Sequence, residues 1–150
     1  MALLQSTYKP PLLLFNGHMQ TIYPALFRKA PAHRCRRYTI ETGDGDFLVV
    51  DHHVGSGRRR AAILCHGLEG HSRKPYMLGM ATWYNKHGWD VYAWNYRGCA
   101  GGPNRLRRFY HSGATEDLGA VVRHVVEQGF NSVSMIGFSL GGNLLLKYLG

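Results

Sequence analysis

The sequence has no apolar run of 20 residues, so no membrane-spanning helix is expected. Met1 to Pro11 carries no long apolar h-region and no clear cleavage site, which argues against a secretory signal. Cysteine is scarce and odd in number: Cys35, Cys65 and Cys99, with no Cys-x-x-Cys spacing. That pattern excludes a disulfide framework and a zinc ribbon, and fits a reducing cytoplasm. Nine histidines are present, but none in a His-Glu-x-x-His arrangement. His66 and His71 lie five apart without a carboxylate or thiolate partner, and adjacent His52 and His53 would point to opposite faces of a strand. No metal and no cofactor are expected. Internal repeats, linkers and low-complexity tracts are also lacking.

What is present suits one domain: 150 residues, 45% of them hydrophobic, with 19 glycines clustered between apolar runs as turns are. The formal charge is +9, gathered at Arg34–Arg37, Arg58–Arg60, Arg73–Lys74 and Arg105–Arg108. Two readings of these clusters stay open. They are solvated loops, or they meet an anionic partner such as a phospholipid surface, a nucleic acid or an acidic substrate. No DNA- or RNA-binding signature accompanies the charge, so a nucleic-acid partner is not expected. Nothing in the chain reports an oligomeric state.

The first 36 residues carry Pro10, Pro11, Pro24 and Pro31 and read as an irregular arm lying on the domain, which then occupies 37–150. Arg37–Glu41 and Phe47–His53 read as strands around Gly43-Asp44-Gly45-Asp46, a hairpin signal with Gly45 free to take a positive φ. Ala61–Cys65, Asp90–Trp94 and Ser132–Ile136 are short apolar runs of the kind buried on both faces of a sheet. Between them, helices are expected over Pro75–Lys86 and Ser112–Gln128, with a third and largely buried one over Gly141–Leu149. Met77, Met80, Ala81 and Tyr84 form the apolar face of the first. Leu118, Val121, Val122, Val125 and Val126 form that of the second, with Glu116 and Asp117 favoured by its dipole. Gly88 and Gly129 can stop these two helices. The alternation predicts an α/β fold: a mostly parallel sheet with an N-terminal hairpin and helices on both faces. Chemistry in such sheets gathers beyond the carboxyl ends of the strands.

After Ile136 comes Gly137-Phe138-Ser139-Leu140-Gly141, a G-x-S-x-G pattern with a strand before it and a helix after it. Small residues two before and two after the serine let strand and helix approach, and expose the serine oxygen at a helix N-terminus. Ser139 is the candidate nucleophile. After Cys65 comes His66-Gly67-Leu68-Glu69-Gly70, the form of an oxyanion loop in the same architecture. The backbone N–H groups of Leu68 and Leu140 are the candidate oxyanion donors. After Trp94 comes Tyr96-Arg97-Gly98-Cys99, where Arg97 has either a structural or a substrate-binding role, and Cys99 reads as a packed thiol.

These stretches, with Asn16-Gly17-His18-Met19-Gln20-Thr21 and Phe109-Tyr110-His111-Ser112-Gly113, resemble the YheT-like branch of the α/β-hydrolase superfamily, AB hydrolase family 4. The resemblance covers nearly the whole chain in order. It implies hydrolysis of carboxylic esters or acylglycerols, with a small-molecule ester or lipid as substrate. It also implies a triad in the order Ser, acid, His. After Ser139 the chain offers only Leu140–Gly150, without an acid or a histidine. The triad acid and histidine are therefore expected beyond Gly150, the fold is expected to be truncated after the nucleophile helix, and the 150 residues alone are expected to be inactive and to fold poorly. The alternative function is a non-catalytic α/β-hydrolase-like binding module.

Overall fold

The computed structural model describes residues 6–29, 34–57 and 59–150; residues 1–5, 30–33 and 58, with Pro31 and Arg58 among them, lie outside these. A 3-10 turn at Leu12–Leu14 leads into helix α1, Gly17–Phe27. Then follow β1 Arg36–Glu41, β2 Phe47–His53, β3 Arg60–Cys65, α2 Pro75–Lys86, β4 Asp90–Asn95, α3 Thr115–Glu127, β5 Ser132–Gly137 and α4 Leu140–Leu149. One sheet of five strands runs in the order β1-β2-β4-β3-β5. β1 and β2 form the antiparallel hairpin, closed by the Thr42 N–H donating to the Asp46 carbonyl at 2.9 Å with Gly45 at φ 81°. β2 meets β4 antiparallel; β4, β3 and β5 are mutually parallel.

The two central strands are buried along almost their whole length, which is why they read as continuous apolar runs. Trp94, Tyr92, Ile63 and Cys65 face a layer made by α3 and α4, while Leu64, Ala62, Val91 and Ala93 face α2. Helices therefore cover both faces, as expected. Gly88 and Gly129 stop α2 and α3 at φ 81° and φ 80°.

Four features differ from the sequence reading. The arm contains a helix despite Pro24. The Asn16 side chain caps it by accepting the Met19 N–H at 2.8 Å, and the Gln20 amide ties it to the Leu14 carbonyl at 2.9 Å. Helix α3 begins at Thr115 rather than Ser112, because the Ala114 and Thr115 N–H groups close turns onto His111 and Gly113. Val126, on the flank of its apolar face, is 55% exposed. α4 is buried on one side only: Leu144 and Leu145 enter the core, Leu146 and Leu149 face outward.

Most of the basic clusters resolve into pairs. Arg37 and Arg73 both reach Asp51, at 2.7 and 3.2 Å, Arg105 reaches Glu41 and Arg108 reaches Asp44 and Glu116. The exposed pairs among these contribute little to stability.

Candidate active site

Ser139 stands between β5 and α4 with φ 53° and ψ −115°, one of two non-glycine residues at positive φ among those described. Its side chain is exposed. The geometry explains the glycines around it. A Cβ on Gly137 would lie 2.4 Å from the Gly141 carbonyl, and a Cβ on Gly141 would lie 2.5 Å from the Cys65 carbonyl. Strand, turn and helix thus approach backbone to backbone, which no side chain at either position permits. The Phe138 N–H donates to the Cys65 carbonyl at 3.0 Å, tying the turn to the end of β3. Leu140 is the first residue of α4, where an N–H has no intrahelical acceptor.

A residue held this way stores about 1–3 kcal/mol of backbone strain. Ser139→Gly relieves it at an entropic cost of roughly 0.5–1 kcal/mol. We therefore expect Ser139→Gly to leave stability unchanged or raise it by about 1 kcal/mol, while glycine substitutions on exposed helical positions lower it. Thermal unfolding checks this; a fall of more than about 1 kcal/mol contradicts the strained assignment.

The loop after β3 lies against this turn. A Cβ on Gly67 would stand 3.4 Å from that of Ser139. Leu68 and Glu69 form a tight turn closed by the Gly70 N–H on the Gly67 carbonyl at 3.0 Å, with Glu69 at φ 54°. Three tyrosine hydroxyls hold the loop. Tyr76 accepts the Gly67 N–H at 3.0 Å, Tyr110 accepts the Glu69 N–H at 3.2 Å, and Tyr96 donates to the His66 carbonyl at 2.9 Å. Tyr96 and Tyr110 lay in the quoted motifs Tyr96-Arg97-Gly98-Cys99 and Phe109-Tyr110-His111-Ser112-Gly113 without this role, and Tyr76 lay in none.

His66 is fully buried and both ring nitrogens are engaged. Nδ1 lies 2.8 Å from the Gly67 carbonyl, and Nε2 accepts the Tyr96 N–H at 3.2 Å. This pairing requires the neutral Nδ1–H tautomer, and burial lowers the ring's pKa from its ordinary value. His66 shapes the loop and has no free nitrogen for a proton from Ser139. His111 instead accepts the Gly113 N–H at 3.1 Å.

The far end of the loop is anchored on Asp51 of β2. The Ser72 hydroxyl donates to its carboxylate at 2.7 Å, Arg37 binds it through two nitrogens at 2.7 Å each, and Arg73 reaches it at 3.2 Å. Burial raises the carboxyl, but the bonds from Arg37 and Ser72 outweigh it and bring Asp51 down to about 2. A depressed carboxyl contributes stability that is complete above its unfolded value near 3.8 and is lost as pH falls through about 2. Asp51→Asn should therefore remove up to about 2 kcal/mol of the stability change between pH 4 and pH 2. Urea midpoints across that window check it; an unchanged acid slope contradicts it.

The two open roles after β4 separate cleanly. Arg97 is structural: its guanidinium, 2% exposed, binds Asp117 at 2.6 and 2.8 Å and Asp46 at 2.8 Å, and also reaches Asp44. Asp117, read from the sequence as a dipole partner in the first turn of α3, is chiefly the partner of Arg97. Cys99 is half-buried, and burial raises its thiol, which disfavours the thiolate. Among the described residues no three of His, Cys, Asp or Glu come together as a metal site. His52 pairs with Asp90 at 2.7 Å and stacks on Tyr92.

Two clefts flank the Leu68–Gly70 turn. One of about 400 Å³ is bounded by Glu69, His71, Arg73 and Cys99. The other, about 380 Å³, lies between Pro24, Ala25 and Arg28 of the arm and Leu68 and Tyr76. The second has an apolar wall and a rim that carries Arg28, Lys74 and Glu69.

Residues 56–150 match the family described as Serine aminopeptidase, S33 (Hydrolase_4). The chain is 36% identical over 134 residues to the putative esterase YheT of Escherichia coli, covering 87% of this chain and 39% of the relative. It is 31% identical over 154 residues to phospholipase ABHD3 of Bos taurus, covering 96% of this chain and 37% of the relative. Among solved structures, the α/β hydrolase GrgF from Penicillium sp. sh18 superposes with a TM-score of 0.67 at 21% identity, covering 77% of this chain and 41% of that one. The chain thus spans well under half the length of these relatives.

Proposed function

The chain belongs to this serine aminopeptidase S33 family of α/β hydrolases, and on that premise we propose that the complete polypeptide is a serine hydrolase of carboxylic esters or acylglycerols working through an acyl-enzyme on Ser139. One observation carries the proposal: Ser139 is the exposed, strained residue at a strand-to-helix turn that two glycines allow to close. The esterase and phospholipase names of the relatives support an ester substrate.

In this mechanism Ser139 Oγ attacks the carbonyl carbon while its proton passes to a base. The oxyanion accepts the Leu68 and Leu140 N–H groups, and the carbon–oxygen bond to the alcohol breaks as the alcohol takes up that proton. Water then hydrolyses the ester to Ser139 and releases the acid. The base and its orienting acid are assigned to residues beyond Gly150, since the nearby His66 is committed on both nitrogens. The three free cysteines support a cytoplasmic setting. Among the described residues no helix is long and apolar enough to cross a membrane.

Covalent labelling of the complete polypeptide with a fluorophosphonate tests the reading. The adduct is expected on Ser139; an unlabelled protein that still hydrolyses esters, or an adduct elsewhere, overturns it.

A further inference from the structure

We propose that the N-terminal arm is a docking surface for an anionic phospholipid bilayer. In a domain bathed by water, an amphipathic helix turns its apolar stripe to the core. Helix α1 does the reverse. Met19, Ile22, Tyr23, Leu26 and Phe27 fall at i, i+3, i+4, i+7 and i+8, and every one is exposed. No residue of α1 is buried. Its opposite side, Pro24, Ala25 and Arg28, borders the cleft shared with Leu68 and Tyr76. The preceding turn adds Leu12 at 96% exposure, Leu13 at 84% and Phe15 at 72%. So many large apolar side chains contiguous in 20 residues exceed what a solvated surface normally carries.

Charge selects the occupant. All nine acidic residues of the chain lie at Glu41 or later, so the first 40 residues hold Lys9, Arg28, Lys29, Arg34, Arg36 and Arg37 with no acid among them, Arg37 being paired with Asp51 of β2. An apolar stripe in a segment that carries cations and no acid of its own, with Glu69 across the neighbouring cleft, is the composition of a helix that lies in the headgroup region of an anionic leaflet, with the basic stems reaching up to the phosphates. Two copies meeting through this surface would instead bring two acid-free basic segments together. Trp83, half exposed on α2, shares a groove with Arg28 and adds a side chain suited to the membrane interface. The docking itself goes beyond the acyl-enzyme reading and does not depend on it.

The test uses the complete polypeptide with Ser139→Ala, so that no turnover is needed. Its sedimentation with phosphatidylcholine vesicles is compared with that on vesicles containing about one-third phosphatidylserine. At low salt we expect at least about tenfold stronger partitioning onto the anionic vesicles, falling steeply as salt is raised. Ile22→Ser with Phe27→Ser should lower it by at least about tenfold at an unchanged thermal transition, because both side chains are exposed. Equal binding to both vesicles, no binding, or binding indifferent to the double substitution overturns the proposal. So does self-association in the absence of lipid that the double substitution abolishes, which assigns the stripe to a second copy. So does protection of the α1 amides and stripe side chains without lipid, which assigns it to the rest of the polypeptide.

Discussion

Replacing Ser139 with alanine in the complete polypeptide is expected to lower ester turnover by a factor of about 10⁶ while leaving the fold intact. The size of the effect follows from what is removed. Without Oγ there is no acyl-enzyme, and water must attack in a site organised for a covalent intermediate. What remains is the contribution of the oxyanion donors and of substrate binding. Leu68→Ala is the matching control. Its proposed role uses the backbone N–H, which alanine retains, and its side chain is exposed, so turnover should stay within about tenfold of the parent. The contrast between the two substitutions carries the test, measured as kcat and KM on a soluble p-nitrophenyl ester. Turnover near the parent level in Ser139→Ala removes the mechanism. A parent protein that binds an ester without turning it over, with affinity unchanged by Ser139→Ala, favours the binding-module alternative.

The parts of the fold legible in the sequence are those governed by local periodicity and by backbone constraints. The five strands and the helix over Pro75–Lys86 were readable because short apolar runs, glycine stops and Pro75 at a first turn each act over a few residues. The Ser139 turn was readable for the same reason: a Cβ on Gly137 or Gly141 would stand only 2.4 or 2.5 Å from neighbouring backbone, so only glycine fits at either position. Helix α1 was hidden because four prolines outweighed a good signal, Asn16 in capping position before a stripe of period 3.6. Its outward-facing stripe also breaks the rule by which apolar spacing is normally interpreted. The role of the tyrosines at the loop after β3 could not be found by spacing at all. Tyr76, Tyr96 and Tyr110 come from three separate segments and converge only when β3, β4 and α2 are packed. The same holds for Asp51, which lies 21 residues from the Ser72 hydroxyl it accepts. Long-range polar networks leave no periodic trace, so a single sequence shows the candidate nucleophile more readily than the residues that position its surroundings.

Arg97 illustrates this and supports the largest expected effect on stability. Arg97→Met is expected to destabilise the protein by about 3–5 kcal/mol at neutral pH. The guanidinium is almost fully enclosed, bound by both oxygens of Asp117 and by Asp46, whose side chains are nearly inaccessible as well. Removing the cation leaves two buried carboxylates with no opposite charge, and the penalty comes from those orphaned groups rather than from the ion pairs alone. The position also joins three parts of the chain: the Asp44–Asp46 hairpin turn, the loop after β4 and the first turn of α3. Two companion measurements separate this account from a simple loss of packing volume. First, orphaned carboxyls take up protons more readily, so the deficit of Arg97→Met should shrink as pH is lowered from 7 towards 5. Second, Arg97→Met combined with Asp117→Leu should recover part of the loss, because an apolar pair removes one of the two unpaired charges. Chemical denaturation of the single and double variants at both pH values checks the set. A loss below about 1 kcal/mol at neutral pH, or a deficit that does not change with pH, contradicts the assignment of Arg97 as the buried counter-charge of these acids.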